Sequence, residues 1–182
     1  GKTTLINLIT RFYELKHGDI FIGDASIKNL DVSILRKNIG LILQDTFLFS
    51  DTIFKNITFF TKKTKKEINF ILDKMGLLDF INSFPNGLDY NIGEGGVYLS
   101  NGQKQLISFI RTYISFSPII IFDEATSSWD SETEELVKKS IRLLIKNKTS
   151  IIIAHRLSTI KNVDKIIFLK DGEITEQGTH EE

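Results

Sequence analysis

Ile119-Ile120-Ile121-Phe122-Asp123-Glu124 is the stretch that decides the fold. Its four consecutive apolar residues read as a buried strand, and the strand ends in two carboxylates. A Mg-nucleotide site asks for this arrangement: one carboxylate holds the metal's water shell and the next polarises an attacking water. Upstream, Leu99-Ser100-Asn101-Gly102-Gln103 opens a helix, and Gly1-Lys2-Thr3-Thr4 opens the chain with the phosphate end of the same machine. The last two positions of that strand are therefore read as chemistry as well as structure.

Working outward, helical and strand patterns alternate. Leu5, Ile6, Leu8, Ile9 and Phe12 predict a helix over residues 3–15. Ile20 and Ile22, then Ala25 and Ile27, flank Gly23-Asp24 and predict a hairpin. Residues 39–43 read as a short strand ending at Gln44, and the Lys-rich stretch after Lys62 leads into a helix over about residues 67–75. Phe84-Pro85-Asn86-Gly87 and Gly93-Glu94-Gly95-Gly96 mark loops. Residues 102–115 predict a helix with Leu106, Phe109 and Ile110 inward, and residues 131–146 predict another. Ile151-Ile152-Ile153-Ala154 reads as a second buried strand ending at His155, and a closing hairpin turns at Asp171-Gly172.

Apolar strands alternating with helices predict an α/β fold with a mostly parallel sheet covered on both faces. Ligands of such sheets bind beyond the carboxyl ends of the strands, where Gln44, Asp123, Glu124 and His155 all fall. The expected division is a core of residues 1–48 and 118–182, with residues 49–117 as an inserted helical subdomain.

Bulk properties narrow the class. The 182 residues suffice for one domain with its own core. Lys plus Arg and Asp plus Glu each number 23, so no basic footprint points to nucleic acid. With no cysteine, a disulfide framework and any thiolate metal site are excluded. No apolar run approaches the ~20 residues that span a bilayer. The chain opens within a phosphate-loop pattern, of which G-K-[ST] is the end, so it is read as the C-terminal part of a longer polypeptide.

Taken singly, each motif has a plain structural alternative. Gly-Lys-Thr at a helix start also serves as a cap, acidic residues after a strand also cap the next helix, and a strand-end His also serves as a structural hydrogen-bonder. If Gly1-Lys2-Thr3-Thr4 binds phosphate, backbone N–H groups and the helix dipole face the anion, Lys2 reaches the β- and γ-phosphates, and Thr3 offers its hydroxyl to Mg²⁺.

In order and spacing, these residues resemble the nucleotide-binding domain of ABC transporters, over essentially the whole chain. Residues 99–103 resemble the family signature Leu-Ser-Gly-Gly-Gln, Gln44 its glutamine loop, Ser127-Ser128-Trp129-Asp130 its D-loop and His155 its switch histidine. Leu48-Phe49-Ser50-Asp51-Thr52-Ile53, Ile92-Gly93-Glu94-Gly95-Gly96 and Glu176-Gln177-Gly178-Thr179-His180 resemble the exporter branch. The resemblance implies a P-loop NTPase core using ATP and Mg²⁺. It implies a second ABC ATPase domain, identical or related, paired head to tail, and a transmembrane domain fused upstream. The location implied is the cytoplasmic face of a membrane.

The roles implied follow the motifs. Gly1, Lys2, Thr3 and Thr4 hold one ATP, while Ser100, Asn101, Gly102, Gln103 and Asp130 act across the dimer interface. Thr3, Gln44 and Asp123 serve the metal, Glu124 is the base, His155 contacts the γ-phosphate, and Gln44 couples hydrolysis to the membrane domain. Since the resemblance places the adenine-stacking aromatic upstream of Gly1, the 182 residues alone are expected to bind ATP weakly.

Three positions depart from the pattern. Asn101 stands where the signature has glycine; Asn is among the few residues that tolerate a left-handed backbone, and its side chain also crowds the γ-phosphate. Two readings stay open: a tolerated variant in an active ATPase, or a poorly hydrolysing half of an asymmetric pair. Trp129 replaces a leucine, read as packing, and Gly23-Asp24 reverses the usual Asp-Gly order, read as a change of turn type. A soluble ABC ATPase acting on DNA or the ribosome is a further alternative, opposed by the zero net charge and the exporter-like residues around Phe49 and Glu94.

Overall fold

The computed structural model describes residues 1–43, 45–59, 61–123, 131–154 and 163–180. Helix α1 (Lys2–Ile9) is followed by the hairpin β1 (Phe21–Ile22) and β2 (Ala25–Ser26), then by α2 (Val32–Lys37) and β3 (Ile39–Ile42). Four helices come next: α3 (Ile53–Thr58), α4 (Lys65–Met75), α5 (Leu78–Asn82) and α6 (Asn101–Ile114). Strand β4 (Ile119–Asp123), helix α7 (Ser131–Ile145), strand β5 (Thr149–Ile153) and the hairpin β6 (Ile166–Lys170) and β7 (Glu173–Gly178) complete the chain.

The central sheet has the order β3-β4-β5, all parallel, with Ile42 beside Phe122 and Asp123 beside Ile153. Side chains alternate across a strand, and here both sets are apolar. Ile42, Ile120, Phe122 and Ile152 belong to a core formed with α3, α4, α6 and α7. Ile39, Leu41, Ile119, Ile121, Ile151 and Ile153 belong to a second core, with Ile6 of α1 and Leu35 of α2. The sheet is therefore covered on both faces, as its uninterrupted apolar runs predict.

Gly40 shows how closely one of these layers packs. A Cβ there would come within 2.5 Å of Thr112 Cγ2 on α6 and 2.9 Å of Ile120 Cδ1. Gly40→Ala is expected to destabilise the protein by about 1–3 kcal/mol through overpacking. The check is urea unfolding, where the midpoint falls while the slope stays constant.

Both expected hairpins form. At Gly23-Asp24 only Gly23 has positive φ, 57°, the pattern of a type II′ turn. At the second, Asp171 (φ 51°) and Gly172 (φ 89°) are both left-handed, the type I′ pattern.

Helix α1 is shorter than the expected 3–15. Thr10 caps it, its Oγ1 donating 2.8 Å to the Ile6 carbonyl, and Arg11 turns left-handed at φ 51°. Arg36 then takes the terminal carbonyls, donating to Thr10 O at 3.0 Å and Arg11 O at 2.8 Å. Arg11 reaches the carbonyls of Ile27 (3.1 Å) and Leu30 (2.8 Å). Phe12, the last residue of the helical spacing, lies beyond the helix and is exposed, with the Arg36 guanidinium 4.5 Å from its ring centroid.

Among the described residues no helix is long and apolar enough to cross a membrane.

Candidate functional site

The pairing of Ile42 with Phe122 and of Asp123 with Ile153 makes the three parallel strands finish nearly level. Asp123, the last residue of β4, is half-buried at that edge. Gln44, Glu124 and His155 follow the ends of β3, β4 and β5 in sequence, and these three, with Asp130, lie outside the described residues.

Helix α1 presents the candidate phosphate-binding residues Gly1, Lys2, Thr3 and Thr4. Gly1 is its N-cap, no side chain caps it, and no acidic residue occupies its first turn. The first-turn N–H groups thus stand open at the positive end of the helix. Lys2, Thr3 and Thr4 are all exposed there, while Ile6, one turn further on, is buried in the core that contains Ile121 and Ile153. These residues fit a polyphosphate: N–H donors, an ammonium and hydroxyls share one helix start, with no acidic residue in its first turn. They also fit Mg²⁺, which takes few protein ligands and keeps several waters. The Thr3 hydroxyl and the Asp123 carboxylate are donors of that kind.

Helix α6 presents the second constellation. Ser100 is its N-cap in a capping box: Gln103 N–H donates to Ser100 Oγ (3.3 Å), and Ser100 N–H donates to Gln103 Oε1 (2.9 Å). Capping uses a lone pair of Ser100 and leaves its hydroxyl proton free for an anionic acceptor. Asn101 is the first residue of the helix and is exposed, whereas Gly102 is buried. Its φ is not positive, so the left-handed tolerance of Asn plays no part at this position. What Asn101 adds over glycine is a carboxamide at an open helix end.

Helix α1 packs in the Ile121 core and α6 in the Ile120–Phe122 core, on opposite faces of the sheet.

The reading from sequence passes over one polar centre. Asn56 is fully buried on α3, its Oδ1 accepting from Phe49 N–H (2.9 Å) and its Nδ2 donating to Phe49 O and Thr52 O (both 3.0 Å). Arg111 of α6 donates from Nε to Asn56 O (2.8 Å), from Nη1 to Phe47 O (3.1 Å) and from Nη2 to Asn56 Oδ1 (3.2 Å). Burial pushes its guanidinium below the ordinary arginine value. An Arg in a helix repeat gives no local signal of this, because its acceptors lie 55 and 64 residues away.

Around this centre the surface is apolar. Phe47 and Phe49 meet edge to face at 4.9 Å, Phe49 lies 4.4 Å from Phe59, and all three are exposed. Leu48 turns inward instead, so that a Cβ on Gly96 would stand 3.0 Å from its Cδ1. This close approach, with positive φ at Gly93, Gly95 and Gly96, explains the glycines of that loop.

A parallel sheet covered on both faces, with a Gly-Lys-Thr helix start and an Asp at a strand end, defines a P-loop nucleotide-binding fold. The family model for the ABC transporter matches residues 1–127, and the chain belongs to that family. It is 46% identical over its full length to an ATP-dependent lipid A-core flippase of Desulfotalea psychrophila, and covers 32% of that protein. It is also 46% identical to a multidrug resistance-like ATP-binding protein of Buchnera aphidicola, covering 100% of this chain and 31% of the other. The structure of a bacterial Atm1-family ABC exporter with ATP bound superposes with a TM-score of 0.89 at 38% identity, over 100% of this chain and 32% of that one. The chain thus spans about a third of the length of these relatives.

Proposed function

We propose that the chain is the ATP-binding and ATP-hydrolysing domain of an ABC exporter, working at the cytoplasmic face of a membrane beneath a transmembrane domain fused to it. Residues 1–48 and 118–182 are its nucleotide-binding core and residues 49–117 its helical subdomain. The observation that supports this reading is the packing of α1 and α6, the helices that begin at the two candidate phosphate-binding motifs, against opposite faces of one sheet. One nucleotide contacting both calls for two copies, identical or related, arranged head to tail.

In that dimer Gly1, Lys2, Thr3 and Thr4 hold the phosphates of one ATP. Ser100, Asn101, Gly102, Gln103 and Asp130 close on it from the partner. Thr3, Asp123 and Gln44 are the residues that would hold Mg²⁺, which when bound neutralises charge on the β- and γ-oxygens. Glu124 accepts a proton from the water whose oxygen attacks the γ-phosphorus, the bridging oxygen leaves with ADP, and His155 contacts the γ-phosphate. The exposed Phe47, Phe49 and Phe59 cluster supports contact with a membrane domain, since monomer surfaces seldom leave such patches uncovered.

The test uses the full-length protein in lipid vesicles. ATP turnover that requires Mg²⁺ and drives net movement of a labelled lipid or dye across the bilayer is the expected result. Turnover without any transported species would leave the domain an ATPase and remove the exporter; no turnover would remove both.

A further inference from the structure

Helix α6 carries the signature residues at its first turn and Arg111 at its eleventh position, about 15 Å further along at 1.5 Å per residue. The Arg111 fork ends on three neutral oxygens: the Phe47 carbonyl, the Asn56 carbonyl and the Asn56 carboxamide. Among the described residues no carboxylate pairs with it. A half-buried cation without a counter-ion is an unusual choice for a structural link. What recommends it is geometry, because only guanidinium offers several donors in a rigid planar fork.

We infer that Arg111 is a positioning residue that locks the segment 47–49 to the signature helix, so that the two move as one body during the ATP cycle. Asn56 is the other half of the latch. Its carboxamide pairs with both the N–H and the carbonyl of Phe49, and its Oδ1 and carbonyl receive Arg111. Helix α6 thereby meets the loop three residues beyond Gln44 and helix α3, more than 50 residues earlier in the chain, at one hydrogen-bonded centre. The same loop holds the exposed Phe47 and Phe49 and buries Leu48 against Gly96, the loop just ahead of the signature. A displacement at the aromatic surface therefore reaches the N-terminus of α6 through a rigid helix rather than through loop backbone.

This inference rests on the proposed function, and its test separates the two. Wild type, Arg111→Lys and Asn56→Ala are compared in the full-length protein in lipid vesicles, with ATP turnover, fluorescent-nucleotide binding and thermal unfolding measured on each. Arg111→Lys keeps the charge and loses the fork; it is expected to lower kcat about tenfold, with KM for ATP and nucleotide affinity within twofold. Asn56→Ala is expected to do the same, and the double variant no worse than either single one, since both break one latch. If wild type turns over ATP and Arg111→Lys matches it, the inference falls and the ATPase part of the proposed function stands. It falls equally if the variants lose kcat only in proportion to lost folded protein, or if their effects multiply. Absence of turnover in the wild type removes the proposed function itself.

Discussion

Lys2→Ala, made in the full-length protein, is expected to weaken ATP binding at least tenfold and to lower turnover by about 10²–10³-fold. Lys2 is the first residue of α1, exposed, and no salt bridge holds it among the described residues. Alanine is at least as good a helix former, so the substitution leaves the helix and its buried Ile6 anchor in place. What it removes is a cation at a helix end that already collects N–H donors. Phosphoryl transfer depends on charge neutralisation and positioning, so the loss falls on binding and on the chemical step together. An unchanged melting temperature with lost nucleotide binding is the expected pair of results. Turnover within twofold of wild type would sink the phosphate-loop assignment and leave Gly1-Lys2-Thr3 as a helix start only.

The parts of this molecule that were legible in its sequence are those where one residue pattern has one physical outcome. Short, β-branched apolar runs at 119–122 and 151–153, alternating with helical patterns, read as strands covered on both faces, and they are. Asp171-Gly172 fits a turn with two left-handed residues, and Gly23-Asp24 one with its glycine first. Residues 99–103 read as a helix start, and the structure begins α6 there with Ser100 as its N-cap. Periodicity misled where tertiary partners intervene: it carries α1 through Phe12, but Arg36 and Arg11 draw the chain out of the helix after Ile9. Helix α2 went unread because six residues hold too few repeats, although Asp31 capping Ser33 and Ile34 was its available signal. The Arg111–Asn56 centre was out of reach for a different reason. Its partners are backbone carbonyls, which no residue type advertises. For Gln44, Glu124, Asp130 and His155 the assignment still stands on sequence order alone.

Glu124→Gln separates binding from chemistry. In the full-length protein it is expected to lower kcat by about 10²–10⁴-fold, the span of a general base, while ATP affinity stays within a few-fold. Glutamine keeps the size of glutamate and most of its hydrogen-bonding reach but cannot accept the proton of the attacking water. Asp123 sits immediately before it at the end of β4 and is untouched by the change, so a metal held there stays held. With ATP bound and unconsumed, the head-to-tail dimer has no event to open it. The variant should therefore accumulate as a closed dimer, read by cross-linking between a cysteine placed near Ser100 and one near Thr4 of the other copy. The same variant decides what Asn101 does. If Asn101 crowds the γ-phosphate, the dimer fails to close even when hydrolysis is blocked, and Asn101→Gly in the Glu124→Gln background restores the cross-link. If the carboxamide is accommodated as one more donor at the open end of α6, the cross-link forms without that second change. Wild-type turnover in Glu124→Gln would instead remove Glu124 as the base, and the proton would have to leave by another group at the strand ends.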